Sequence, residues 1–155
     1  MPTQLPYRDC VGIVLLNADG LIFVGERVGL PGSWQMPQGG IDKSEEPRAA
    51  ALRELEEETG TPNARIIRQT TDWLTYDLPP DLVGKAWKGR YRGQRQLWFA
   101  MAFEGSDQDI NIHDVEHPEF ASWQWMTRAD ILDAIIAFKR DVYAEMFKAF
   151  ADLTA

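Results

Sequence analysis

A chain of 155 residues with 45% hydrophobic and 26% charged side chains is long enough to bury a core as one domain, and too apolar for a disordered segment. It has no apolar run near the ~18 residues of a membrane helix, and its one cysteine, Cys10, excludes an intrachain disulfide and suits a reducing compartment, so a cytoplasmic protein is expected. Sixteen basic against 24 acidic side chains leave a net charge of −8, which as an average argues against a nucleic-acid partner because phosphates repel it.

The N-terminus (MPTQLPYRD) lacks the charged-then-apolar pattern of a signal peptide. Residues 9–16 (DCVGIVLL) predict a buried strand, Asn17-Ala18-Asp19-Gly20 a turn, and 21–26 (LIFVGE) the returning strand of a hairpin. Pro31-Gly32 opens a loop, and Trp34-Gln35-Met36-Pro37 alternates briefly before Gly39-Gly40. Residues 46–59 predict a helix with Ala49, Leu52 and Leu55 as its apolar stripe. Ser44 is its expected N-cap, Pro47 sits in its first turn and Gly60 is its C-terminal cap. Residues 65–78 read as strand ended by Pro79-Pro80, 81–94 as a polar, basic loop, 95–104 as a strong strand, and 107–119 as irregular. Residues 120–126 alternate as a last strand. From Thr127, the expected N-cap with Asp130 three residues on, to Phe150 the pattern is helical, with a break near Ile136–Lys139. No repeat or linker interrupts the chain, so one α+β domain over 1–155 is expected. Cys10, inside an apolar strand, reads as a small buried hydrophobe.

The charge is unevenly placed. Residues 42–58 hold seven acidic and three basic side chains, whereas 85–95 hold five basic ones (Lys85, Lys88, Arg90, Arg92, Arg95) and no acid. On a helix Glu54, Glu57 and Glu58 project together while Leu55 turns to the core. Like charges at that spacing cost about 0.2–0.5 kcal/mol per pair, and the negative end of the helix dipole adds to the cost. Two readings stand at this point: a solvated acidic face, or a site for a divalent cation that removes the repulsion.

The spacing Gly39, five residues, Glu45, seven residues, Arg53-Glu54-Leu55-x-Glu57-Glu58-x-Gly60 resembles the signature of the Nudix hydrolases over 23 positions, 39–61. The departure is Thr61, where the signature has an aliphatic residue. The resemblance implies a mixed sheet sandwiched between helices (an α/β/α sandwich), with the signature as loop–helix–loop. It also implies hydrolysis of a nucleoside diphosphate linked to another group, with a divalent metal, Mg²⁺ or Mn²⁺. It makes Glu54, Glu57 and Glu58 metal ligands, one of which also polarises the water, and Arg53 and Glu45 their orienting ion pair. Gly39 would let the backbone approach the metal.

Further stretches are similar to the bacterial RNA pyrophosphohydrolases within that family and to the related asymmetric dinucleoside tetraphosphate hydrolases. These are Trp34–Gly40, Gly93–Phe99, Pro118–Trp123 and Phe138–Tyr143. That likeness implies Glu119 as a fourth acidic ligand or base, and Arg8, Arg27, Gln38, Tyr76, Phe138 and Lys139 as substrate-binding. The substrate would be 5′-triphosphorylated RNA, cut to a 5′ monophosphate and pyrophosphate and so promoting mRNA decay. Alternatively, it would be diadenosine tetraphosphate, cut to ATP and AMP. A non-catalytic binding module of the same fold ranks below both, because such modules usually lose signature carboxylates and all are present. A monomer is expected. Without the likeness, Tyr76 and Phe138 read as core, and Arg8 and Arg27 as solvated surface. Glu119 then reads as an ordinary loop acid, and the 85–95 cations as either a steering patch for RNA or a solvated loop. The six tryptophans read as core, with Trp87 in the basic loop as the exception, and His113 and His117 receive no role.

Overall fold

A computed structural model describes residues 5–155; the signal-peptide reading rests partly on residues 1–4, which lie outside the described residues. The chain runs β1 (Tyr7–Leu16), β2 (Ile22–Arg27), β3 (Trp34–Gln35), β4 (Gln38–Gly40), α1 (Pro47–Thr59), β5 (Ala64–Gln69) and β6 (Leu74–Asp77). It continues through β7 (Gly93–Phe103), β8 (Phe120–Met126), α2 (Arg128–Ala134) and α3 (Arg140–Ala149). Among the described residues the eight strands form one mixed sheet. Its axis is the parallel ladder of β1 on β7, from Tyr7 opposite Gly93 to Leu16 opposite Ala102. Asn17 Oδ1 accepts from the Asp19 and Leu21 N–H groups and closes the β1–β2 turn.

β1 and β2 pair at that turn, Leu16 opposite Ile22, and then part. β3 pairs on β2 and β4 on β1, so the short Trp34–Gly40 segment fills the opening. The two faces of the sheet follow the strand alternation. Val11, Ile13 and Leu15 pack with Phe23, Phe99, Ala51 and Leu55 under α1. Val14 and Leu16 pack with Trp98, Ile131, Tyr143 and Phe147 under α2 and α3. The result is a helix/sheet/helix sandwich of the α+β class. No helix among the described residues is long and apolar enough to cross a membrane.

Several expectations need correction. The 65–78 stretch is two strands, β5 and β6, both antiparallel to β7. Thr70 ends the first by taking both backbone groups of Trp98: its N–H donates to the Trp98 carbonyl and its Oγ1 accepts from the Trp98 N–H, and residues 71–73 then leave the ladder. Ser44 does not cap α1; it sits at φ 67, and Glu46 is the N-cap residue without a side-chain bond. The helix is also rotated from the expected stripe: Ala50, Ala51 and Leu55 are buried, while Ala49 and Leu52 are exposed. Glu54 and Glu58 share the inward face with Leu55, and Glu57 points out. Gly60 caps the helix at φ 78, and Thr61 is buried behind it. Thr127 Oγ1 accepts from the Asp130 N–H, and the helical stretch after it breaks at 137–139. Trp98 is fully buried, whereas the other five tryptophans pack on the two cores from half-buried positions.

Candidate active site

The site begins at β4, which has two adjacent glycines. A Cβ at Gly39 would collide with the Glu54 carboxyl carbon, and one at Gly40 with the Arg8 guanidinium. Successive side chains of a strand point to opposite faces. The pair therefore thins the strand on both sides, letting a carboxylate from α1 and a cation from β1 approach the same three residues. The Gln38 N–H donates to Glu58 Oε2 at 2.9 Å, which fixes the far end of the acidic face on the same strand.

Arg53 holds the rest. Its Nε and Nη2 donate to Glu45 at 2.8 Å each, its Nη2 also to the Gly40 carbonyl at 3.0 Å, and its Nη1 to Glu54 at 2.9 Å and Glu57 at 3.2 Å. Glu45 also accepts the Asp42 N–H, closing the loop before α1. The Arg53 hydrogen bonds, helped by that backbone bond, hold the Glu45 carboxyl down at about 2. Glu54 is pushed up to about 7 by burial, which outweighs Arg53, with Glu57 and Glu119 adding repulsion. Burial and then the charges of Glu119 and Glu54 raise Glu58 well above the usual carboxylate range.

Glu119 comes from the turn before β8, where its carbonyl accepts the Val28 N–H beside Arg27. With Glu54, Glu57 and Glu58 it lines a cavity of about 160 Å³, at whose rim stand Glu116 and His117. Nothing in the sequence singled those two out. An all-oxygen donor set of four carboxylates, whose mutual repulsion a bound cation would relieve, fits a hard divalent cation. Among the described residues no three acidic, histidine or cysteine groups form a ready ligand cage. Arg53 and the Gln38 N–H take the carboxylate oxygens instead.

Opposite this acidic wall stands a basic and aromatic one. A second cavity, about 330 Å³, is bounded by Glu54, Glu57 and Glu119 on one side and by Arg8, Arg27, Lys139, Tyr76 and Trp87 on the other. Gln35, Gln38 and Gln94 form its floor. Lys139 Nζ lies 5.6 Å over the Tyr76 ring, and burial followed by the nearby Arg27 charge lowers Lys139 to about 8. Phe138, on the break between α2 and α3, meets Tyr76 at 5.7 Å between centroids. It faces an adjoining groove of about 410 Å³ shared with Arg27, Trp34 and Lys139. Arg8 lies 5.5 Å over the Trp87 ring. Trp87 and Lys88 both have left-handed φ, at 50° and 59°.

The structure thus gathers Glu54, Glu57, Glu58, Glu119, Gly39, Gln38, Arg8, Arg27, Tyr76 and Lys139 around two joined cavities, places Phe138 in the adjoining groove, and sets Arg53 and Glu45 behind the carboxylates. It does not leave the 85–95 cations as one steering patch. Arg95 lies in β7, pairs with Asp9 at 2.6 Å and stacks on Trp73 at 4.1 Å. Arg92 pairs with Asp77 at 2.8 Å over the Tyr7 ring. Sequence reasoning missed Gln35 and Gln94, because an amide in a strand carries no motif.

The chain is similar to known proteins over nearly its whole length. The NUDIX domain family matches residues 6–146. An RNA pyrophosphohydrolase of Roseobacter denitrificans is 58% identical over 150 residues, covering 95% of this chain and 93% of the relative. One from Gluconobacter oxydans is 51% identical, covering 98% and 90%. Among solved structures, a C. elegans Ap4A hydrolase binary complex matches with TM-score 0.67 at 20% identity over 94% of this chain and 98% of that one. The E. coli dihydroneopterin triphosphate pyrophosphohydrolase matches with TM-score 0.68 at 16% identity over 93% and 99%. At those identities the two structures speak for the fold alone.

Proposed function

The chain belongs to the Nudix family, and from that premise we propose that it is an RNA 5′ pyrophosphohydrolase, converting 5′-triphosphorylated RNA to a 5′ monophosphate with release of pyrophosphate and so promoting mRNA decay. The observation that supports this reading best is the junction of a four-carboxylate cavity with a cationic one that opens onto an aromatic groove. A 5′-terminal nucleotide needs those three surfaces in that order: carboxylates with their metal, cations for phosphates, and a ring for an unstacked base. All of these residues come from one chain, so a monomer suffices, and we place the enzyme in the cytoplasm with its RNA substrate.

Nudix hydrolases need a divalent metal; Glu54, Glu57, Glu58 and Glu119, with the Gly39 backbone, would hold Mg²⁺ or Mn²⁺ here, which when bound neutralises phosphate charge and activates water. The chain's own groups do the rest. Arg53 aligns Glu54 and Glu57 from behind and takes its own direction from Glu45. Arg8, Arg27 and Lys139 hold the phosphate oxygens, and Phe138 with Arg27 receives the base. Glu57 and Glu119, at the rim, are placed to take the proton of the attacking water. The bond broken is the phosphoanhydride that joins the 5′ phosphate to the leaving pyrophosphate.

A second reading, cleavage of a dinucleoside polyphosphate, has one observation in its favour. A further cavity of about 490 Å³, edged by Tyr7, Tyr91 and Lys43, shares Arg8, Gly40 and Glu54 with the phosphate site and offers room for a second nucleoside. Comparing kcat/KM for triphosphorylated RNA and diadenosine tetraphosphate on one sample ranks the two, and a tenfold preference for the dinucleotide puts the second reading first. Glu57→Gln tests the chemistry. Its side chain is exposed, so the fold is expected to stand while kcat falls by about 10²-fold or more. Retained activity removes the mechanism. Dialysis against a chelator is expected to abolish turnover, and Mg²⁺ or Mn²⁺ to restore it.

A further inference from the structure

The face of the β1–β7 ladder that begins as core ends as pocket. Going toward Gly93, the paired positions change from Val14 and Ala100, through Gly12 and Trp98 and then Cys10 and Gln96, to Arg8 and Gln94. A Cβ at Gly12 would run into the Trp98 indole, so the glycine seats that ring flat on the sheet. From the indole a chain of amides leads outward. Trp98 Nε1 donates to Gln96 Oε1 at 3.0 Å. Gln96 Nε2 donates to Gln94 Oε1 at 2.9 Å and to Gln38 Oε1 at 3.1 Å. Gln38 Nε2 donates to Gln35 Oε1 at 3.2 Å. Gln96 is fully buried, Gln94 is 5% exposed and Gln35 7%.

The direction of this chain is forced. An indole N–H can only donate, so Gln96 must offer it the carbonyl oxygen. The Gln96 amide nitrogen then faces Gln94 and Gln38, and both must turn their oxygens to it. Gln38 in turn spends an N–H on Gln35. What remains at the ends is the NH₂ of Gln94 and of Gln35. Tyr143 Oη is the buried side-chain polar atom without a partner among the described residues, so neither NH₂ is sealed inside without one. Both residues line the cavity that holds Arg8, Arg27 and Lys139.

We propose that Trp98 and Gln96 are positioning residues that fix the polarity of this amide chain, so that Gln94 and Gln35 meet the substrate as N–H donors to its phosphate oxygens. The inference rests on the proposed polyphosphate substrate. A pocket floor of donors selects an acceptor-only ligand, whereas reversed amides would set carbonyl oxygens against phosphate.

Gln96→Glu separates this role from packing. An ionised carboxylate has the shape of the amide and still accepts from Trp98, but it makes Gln94 and Gln38 turn their N–H groups inward. Gln96→Met fills the space and imposes no direction. The expected result is a KM for triphosphorylated RNA raised roughly tenfold or more in Gln96→Glu, the scale of a lost hydrogen bond to a charged group, with kcat changed less. A smaller rise is expected in Gln96→Met, and a rise in Trp98→Phe, which leaves a smaller aromatic ring and loses the N–H. A mere packing role gives the opposite order, with Met worse than Glu, and overturns the proposal. Gln94→Leu carries the same test at the pocket wall should the buried variants not fold, and an unchanged KM there is equally fatal. The Kd of inorganic triphosphate, titrated by calorimetry in EDTA, is expected to weaken in step in Gln96→Glu and Gln94→Leu. An unchanged Kd beside a raised RNA KM means that the donors read the nucleoside, and the assignment to phosphate falls. Wild-type protein that binds triphosphate with this order of variants yet leaves RNA uncut removes the proposed activity alone.

Discussion

At the residue scale the site depends on opposed environments for similar groups. Glu45 and Glu54 both pair with Arg53, yet one is held near 2 and the other near 7, because Glu45 accepts from Arg53 through two nitrogens and from the Asp42 N–H, while Glu54 is buried among other carboxylates. A cation bound among them offsets a repulsion that the apolar surroundings cannot. Lys139 shows the reverse case. Lowered to about 8 by burial and Arg27, it is charged below that pH and loses its proton as pH rises through it. If it holds phosphate, KM is expected to climb above about pH 8 while kcat follows its own profile. Lys139→Arg, which stays protonated, is expected to keep KM flat to higher pH. A steady-state pH series on the two proteins checks this, and the same alkaline rise in the arginine variant assigns it to another group. The carboxylates were legible in the sequence because their spacing on one helix is local. The pocket amides were not, because Gln38 and Gln96 meet across 58 residues of chain and neither type is unusual in a strand.

At the element scale, α1 illustrates what periodicity leaves undecided. The sequence places a helix at 46–59 with Gly60 after it, and the structure ends the helix at Thr59 with Gly60 at φ 78. A Cβ on Gly60 would meet the Asn111 carbonyl oxygen as well as the left-handed backbone penalty. Gly60→Ala is therefore expected to cost about 1–2 kcal/mol, read as a lower urea midpoint at unchanged m value. The rotation of the helix was not legible. Leu52 and Leu55 suggested one stripe, but Leu52 is 42% exposed and Glu54 and Glu58 lie inward. Alanines at 50 and 51 let the helix sit close to the sheet, and the glycines of β4 make space for the carboxylates, so packing overrides the simple apolar count. The break at Thr70 and the capture of Arg92 and Arg95 by Asp77 and Asp9 escaped for the same reason. Each partner is supplied by a neighbouring strand.

At the scale of the whole molecule, one sheet separates two apolar layers and delivers the ends of β1, β4 and β7 to a common cavity. In the layer under α3, Tyr143 stacks edge-on against Trp98 at 5.3 Å, with its hydroxyl buried and without a partner among the described residues. Tyr143→Phe is expected to stabilise the protein by about 1 kcal/mol, seen as a raised Tm, with activity unchanged. The net charge of −8, which at first spoke against RNA, is an average over a carboxylate cluster with the chemistry of a cation site and a basic segment in which Arg92 and Arg95 answer neighbouring acids. The sequence by itself determined the helix that bears the carboxylates, its stop, most strand positions and the resemblance that names the reaction, since all of these are written in spacings of a few residues. Only the tertiary structure decided which face of that helix turns inward, which cations remain to face the cavity and which way the buried amides point. Those outcomes depend on strand register and burial, which bring together groups tens of residues apart and assign each donor an acceptor.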